Sequence, residues 1–120
     1  MTFDEMKNIL SVITDPVEKL ELVMELGKDL PSAPKDAVCS EISGCASRVE
    51  ICHKGNRFYG NADSALVSGI VAIMIAMVDG KTPGQIKKMD LQKEFLSLNL
   101  NLGAGRLNGV NSMIRFLNNL

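Results

Sequence analysis

Val49-Glu50-Ile51-Cys52-His53-Lys54-Gly55-Asn56-Arg57-Phe58-Tyr59, followed by the apolar run from Ala65 to Val78, decides how this chain folds. Val49, Ile51 and His53 alternate with Arg48, Glu50, Cys52 and Lys54, which places one set on each face of a strand. Gly55-Asn56 suits a two-residue hairpin turn, so residues from about 47 to 62 read as a β-hairpin. A hairpin alone is marginal and needs a helix packed on one face. The run from Ala65 to Val78 supplies that helix: Asp63 or Ser64 can cap it, and Gly80 stops it just after Asp79. Ser68 and Gly69 interrupt the run, and it is too short to span a bilayer, so it reads as a buried core helix.

Outward from this centre the pattern is helical. Phe3, Met6, Leu10 and Ile13 recur at helical spacing. A second helix opens with Asp15 as N-cap, Pro16 at its first position and Glu18 three residues after the cap. Its expected apolar face is Val17, Leu20, Val23 and Leu26, and Gly27 suits its stop. Pro31, Ser32 and Pro34 mark a surface loop. On the other side, Thr82-Pro83-Gly84-Gln85 reads as a capping box that opens a short helix. Another helix starts at Asp90 and carries Leu91, Phe95 and Leu98. After a loop from Asn99 to Gly105, a final helix shows Leu107, Val110, Ile114 and Leu117 on one face. The expected fold is α+β: one domain over residues 1–120, with a small antiparallel sheet of about three strands flanked by helices.

The length of 120 residues suits one compact domain, and 46% apolar residues suffice for its core without disulfide staples. A net charge of −1 with mixed signs lacks the basic stripe of a nucleic-acid binder. With no Trp, one Tyr and four Phe, no aromatic RNA platform is present either. The acidic start Met1-Thr2-Phe3-Asp4-Glu5-Met6-Lys7 lacks the pattern of a signal or transit peptide, so a cytoplasmic protein is expected, not a membrane one. Three cysteines do not pair evenly, and free thiols in a reducing compartment are the expectation.

Chemistry concentrates in Glu41-Ile42-Ser43-Gly44-Cys45-Ala46-Ser47-Arg48-Val49. Small neighbours leave the Cys45 sulfur reachable by a partner, and Gly44 lets the backbone turn sharply. Cys52 falls on the strand and Cys39 lies upstream of the turn; any of the three can instead be a small buried hydrophobe. Cys39, Cys45, Cys52 and His53 can be drawn as a metal set, but they lack the close Cys pairs of structural zinc sites. Cys52 and His53, adjacent on a strand, also point to opposite faces. His53 has no evident carboxylate partner for a Cys–His hydrolase, and no oxyanion hole is in view. In Gly103-Ala104-Gly105-Arg106-Leu107-Asn108-Gly109 a glycine-containing loop enters a helix, where free N–H groups and Arg106 favour an anion; the plainer reading is a surface turn with a solvated Arg. It is neither a Walker loop nor a dinucleotide fingerprint.

Four stretches, in order and in register over nearly the whole chain, resemble the SufE family of cysteine desulfuration proteins, including its CsdE branch. Leu26-Gly27-Lys28-Asp29-Leu30-Pro31 is like the family's ELG-x-x-LP, and Ser43-Gly44-Cys45-Ala46-Ser47-Arg48-Val49 is like GC-x-S-x-V-W. Ala62-Asp63-Ser64, Val67, Gly69 and Gly80-Lys81-Thr82-Pro83 match ADS…V-x-G…GKTP. Arg106-Leu107-Asn108-Gly109-Val110-Asn111-Ser112-Met113 is like R-x-N-G-L-x-x-M. The chain departs from the pattern at Ala46 and Arg48, where the family usually has Gln, and at Glu50, where it has Trp. It also departs at Asn101, in place of a frequent His, and at Asn61, in place of an acidic residue.

The resemblance implies an IscU-like α+β fold in which Cys45 carries a persulfide, with Gly44, Ser47, Arg106 and Asn108 as supporting residues. It implies no cofactor of the chain's own, since pyridoxal phosphate belongs to the partner. It implies a SufS-type cysteine desulfurase as sulfur donor, stimulated by this chain, and a SufBCD-type scaffold as the next acceptor. The chain itself would be a monomer or weak homodimer without independent turnover. Two alternatives stay open: an IscU-like scaffold holding metal or a cluster through Cys39, Cys45, Cys52 and His53, and a docking protein that activates the desulfurase without carrying sulfur.

Overall fold

The computed structural model describes residues 1–120. Helices α1 (Phe3–Ser11) and α2 (Pro16–Gly27) come first. Strands β1 (Val38–Glu41), β2 (Val49–Lys54) and β3 (Arg57–Ala62) follow. Helices α3 (Ala65–Val78), α4 (Pro83–Lys87), α5 (Leu91–Leu96) and α6 (Ala104–Asn118) complete the chain. The sheet is antiparallel in the order β1-β2-β3. No helix is long and apolar enough to cross a membrane.

The hairpin forms as its pattern requires. Gly55 takes φ +57° in the turn, and Lys54 pairs with Arg57. Val49 and Ile51 are buried against α3, which lies across this face; His53 is half-buried on the same side, its ring centroid 6.0 Å from that of Phe58. Helix α3 buries ten of its residues, including Ile70, Val71, Ile73 and Met74, because it has the sheet on one side and other helices behind it. Ser64 caps it, its side chain accepting from the Val67 amide at 3.2 Å. At its far end the Asp79 carboxylate accepts from the Phe58 amide at 3.0 Å and pairs with Arg57 at 3.1 Å, tying the hairpin to the helix terminus. The Gly80 amide donates to the Asn56 carbonyl at 2.7 Å in the same junction.

Helix ends follow their local signals. Thr2 and Glu5 form a capping box, as do Thr82 and Gln85. Asp15 caps α2 through the Val17 amide, and Asp90 caps α5 through the Lys93 amide.

The fold differs from the reading of the sequence at several points, among them Ile13, which lies beyond the end of α1. The third strand is Val38–Glu41, which carries Cys39; three of its four residues are exposed, so no apolar alternation announced it. Val17 is 62% exposed rather than part of the α2 apolar face, because the first turn of α2 projects beyond the core. Gly27 does not act as a left-handed stop, and Lys28 is the C-cap. A β-carbon at Gly27 would stand 2.5 Å from the Gly69 amide nitrogen, so the two glycines allow α2 and α3 to touch backbone to backbone.

Candidate functional site

Cys45 lies in the loop from Ile42 to Arg48 that joins β1 to β2. The loop is held at its start: Ile42 is buried, and its amide donates to the Val49 carbonyl at 2.9 Å. Gly44 has φ +89°, in the left-handed region that favours glycine, and a side chain there would run into the Ser112 hydroxyl on α6. That turn brings Cys45 against α6. Its thiol donates weakly to the Gly109 carbonyl at 3.7 Å. A β-carbon at Gly109 would stand 3.3 Å from the Cys45 sulfur, so the bare helix surface is what admits the thiol. Ser112, just below, donates to the Asn108 carbonyl at 3.1 Å and accepts from Arg115 at 3.2 Å.

The sulfur opens onto a cavity of about 170 Å³, whose lining includes Cys45, Ser47, Ser64, Val67, Arg106 and Met113. The floor is apolar and the rim polar. Arg106 sits in the first turn of α6, where its Nη1 donates to the Leu102 carbonyl at 3.4 Å. Cys45 is half-buried, and loss of solvent around the sulfur pushes its pKa above the ordinary thiol value. At neutral pH the side chain is therefore a thiol.

The structure places Cys45, Ser47 and Arg106 on one cavity, with Gly44 beside Cys45 turning the loop onto α6. It does not bring the Asn108 side chain to the cavity: Asn108 is exposed and contributes its backbone carbonyl to Ser112. Ser64, Val67 and Met113 line the cavity without having been singled out for it, although each falls in one of the four quoted stretches.

The thiol inventory also changes. Cys39 and Cys52 are directly opposed in the β1–β2 ladder and joined in a disulfide, so Cys45 is the one free cysteine and three free thiols are not found. The four-ligand set of Cys39, Cys45, Cys52 and His53 does not assemble. His53 faces α3 while the disulfide occupies the other face of the sheet. The group that does converge is Cys39, Glu50 and Cys52, with ligand atoms within 4.8 Å of one another, and its two sulfurs are bonded to each other.

Residues 4–120 match the family model described as "SufE: Fe-S metabolism associated domain". The chain belongs to the SufE family. It is 31% identical to an uncharacterized SufE-like protein of Rhizobium meliloti (strain 1021), over 95% of this chain and 90% of that one. It is 29% identical to the sulfur acceptor protein CsdE of Escherichia coli (strain K12), over 94% of this chain and 83% of CsdE. Its fold is similar to the solution structure of a hypothetical protein from Thermus thermophilus, with a TM-score of 0.68, 13% identity, and coverage of 99% and 94%.

The SufE-like stretches separate into two physical jobs. Gly27 and Gly69, from the first and third, are the two sides of the α2–α3 backbone contact. Cys45 and the segment from Arg106 to Met113, from the second and fourth, line the cavity together with Ser64 and Val67 from the third.

Proposed function

We propose that this chain is a sulfur acceptor in iron–sulfur metabolism, in which Cys45 takes a persulfide sulfur from a SufS-type cysteine desulfurase and delivers it to a SufBCD-type scaffold. The observation that carries this reading is the setting of Cys45: the one free thiol, on a loop, half-buried at the mouth of a cavity with Arg106 on its wall. Membership of the SufE family and likeness to the CsdE sulfur acceptor support it.

The Cys45 thiolate attacks the outer sulfur of the desulfurase persulfide. A new S–S bond forms at Cys45, the S–S bond of the donor breaks, and the donor cysteine leaves as a thiolate. Charge is conserved and no oxidant is needed. Pyridoxal phosphate, which frees sulfur from L-cysteine, belongs to the partner. The cavity beside Sγ has room for one more sulfur, and the guanidinium of Arg106 offers a positive field for a persulfide anion there. An apolar floor shields that sulfur from solvent thiols.

The test is to mix the protein with a SufS-type desulfurase and L-cysteine, alkylate, and weigh the intact chain and its peptides. One extra sulfur on the Cys45 peptide, lost in Cys45→Ser together with stimulation of the desulfurase, is the expected result. An adduct confined to Cys39 or Cys52 would move the site. Undiminished stimulation by Cys45→Ser would leave a docking role without sulfur transfer and end the carrier reading.

A further inference from the structure

We infer that the Cys39–Cys52 pair is a reversible redox site that latches the base of the Cys45 loop. The functional consequence rests on the reading of Cys45 given above; the latch itself does not. Ile42 donates to Val49 across the ladder, and pairs in an antiparallel ladder alternate between bonded and non-bonded positions. By that count Cys39 and Cys52 occupy a non-hydrogen-bonded position, where side chains lie nearest, and their Cα atoms are 4.0 Å apart. Cys45 falls near the middle of the 13-residue separation that the bond closes.

What else holds this part of the chain explains why the bond matters. β1 is an edge strand of four residues paired only with β2. Val38, Cys39 and Glu41 are exposed, and only Ser40 is half-buried, so β1 is tied down by its backbone ladder, by the disulfide and, just beyond its end, by the buried side chain of Ile42. Elements with so few buried side chains open most readily. Oxidised, the pair fixes β1 to β2 and holds Cys45 over α6. Reduced, β1 and the loop can lift together and present Cys45 to a partner's active site.

The two sulfurs are not equivalent. Cys39 is exposed, whereas Cys52 is 1% exposed and its sulfur lies 3.7 Å from a Glu50 carboxylate oxygen. A reducing thiolate therefore attacks Cys39. The Cys39–Cys52 bond breaks, and Cys52 leaves as a thiolate that takes a proton and donates it toward Glu50. A second thiol of the reductant then displaces Cys39, giving two cysteine thiols and one oxidised dithiol. Closure is the reverse exchange with a low-molecular-weight disulfide such as glutathione disulfide. The Glu50 carboxylate disfavours the Cys52 thiolate as leaving group, so Glu50→Gln should speed reductive opening.

The experiment uses the full chain equilibrated in glutathione buffers of graded redox poise. Peptide mapping after rapid alkylation reads the Cys39–Cys52 crosslink and, separately, the alkylation rate of Cys45. The crosslink should appear and disappear reversibly across the series. Cys45 should alkylate about tenfold faster or more in the reduced protein, because an element with few buried contacts opens more often once the crosslink is gone. Cys39→Ser, at an exposed position, should alkylate at the fast rate in every buffer. Cys45→Ser should form and lose the crosslink like the parent chain. No crosslink in any buffer, or one Cys45 rate in both redox states, would overturn the latch while leaving the sulfur-acceptor reading standing. Absence of a sulfur adduct on Cys45 in both states would instead remove that reading, and the alkylation rates would still judge the latch.

Discussion

Gly69→Ala is the substitution whose outcome the backbone geometry most sharply decides. A methyl group at 69 would overlap the carbonyl of Val23 in α2, its β-carbon falling 2.6 Å from the carbonyl carbon. The obstacle is backbone, so no rotamer change relieves it, and the two helices must separate. Overpacking of this kind costs about 1–3 kcal/mol, and a backbone obstacle belongs at the upper end. Alanine in place of glycine inside a helix returns about 1 kcal/mol. The net expectation is a loss of about 2 kcal/mol, which a domain of ordinary stability survives. For 120 residues that loss corresponds to a fall in Tm of about 8 °C, from an unfolding entropy of about 2.1 cal/mol/K per residue. Urea unfolding followed by circular dichroism, with calorimetry beside it, measures both quantities. Gly105→Ala is the internal reference: it lies in α6, where the added carbon meets nothing within 4 Å beyond its own helix backbone and chain neighbours, and it should gain up to about 1 kcal/mol. If Gly69→Ala matches Gly105→Ala in stability, the close α2–α3 contact is not how these helices pack.

The remaining expectations concern the site and the hairpin junction. Burial raises the Cys45 pKa, so at pH 7 its thiolate fraction should fall below the roughly 3% of an ordinary thiol, and its alkylation midpoint should lie at higher pH than that of a model thiol; a midpoint at or below the model's counts against the burial argument. Because the folded-state pKa is raised above the unfolded one, the favourable contribution of the neutral thiol is complete below the unfolded pKa and fades as pH rises through the folded value; Cys45→Ser should flatten that alkaline slope in unfolding experiments. Gly109→Ala places a carbon 3.3 Å from the Cys45 sulfur, and should slow persulfide uptake while changing stability by no more than about 1 kcal/mol, read by mass and by urea unfolding. Arg106→Ala, at an exposed position, should lower the persulfide yield and leave stability within about 0.5 kcal/mol, with Arg106→Lys in between on yield. Asp79→Ala removes the acceptor for the Phe58 amide and should cost about 1–2 kcal/mol in urea unfolding.

What could be read from the sequence was local. The hairpin turn at Gly55-Asn56, the Ser64 and Thr82 caps, and the apolar character of α3 each depend on residues within a few positions of one another. Their physics is complete before the chain meets itself. The likeness to SufE proteins added the order of the stretches and pointed to Cys45 and Arg106, but it placed no atom beside another.

Contacts between distant segments decided everything else. β1 is a strand because β2 offers it a ladder, not because Val38-Cys39-Ser40-Glu41 carries a strand pattern. Gly27 owes its identity to Gly69, on another helix. Two cysteines that spacing left as free thiols become partners through register alone, since a shift of one residue would send their side chains to opposite faces. Cys45 meets Gly109 and Arg106 across more than half the chain because Gly44 turns the loop onto α6. Local sequence sets the helices and the hairpin; the edge strand β1 and the burial that shapes the thiol's chemistry arise only once those elements pack.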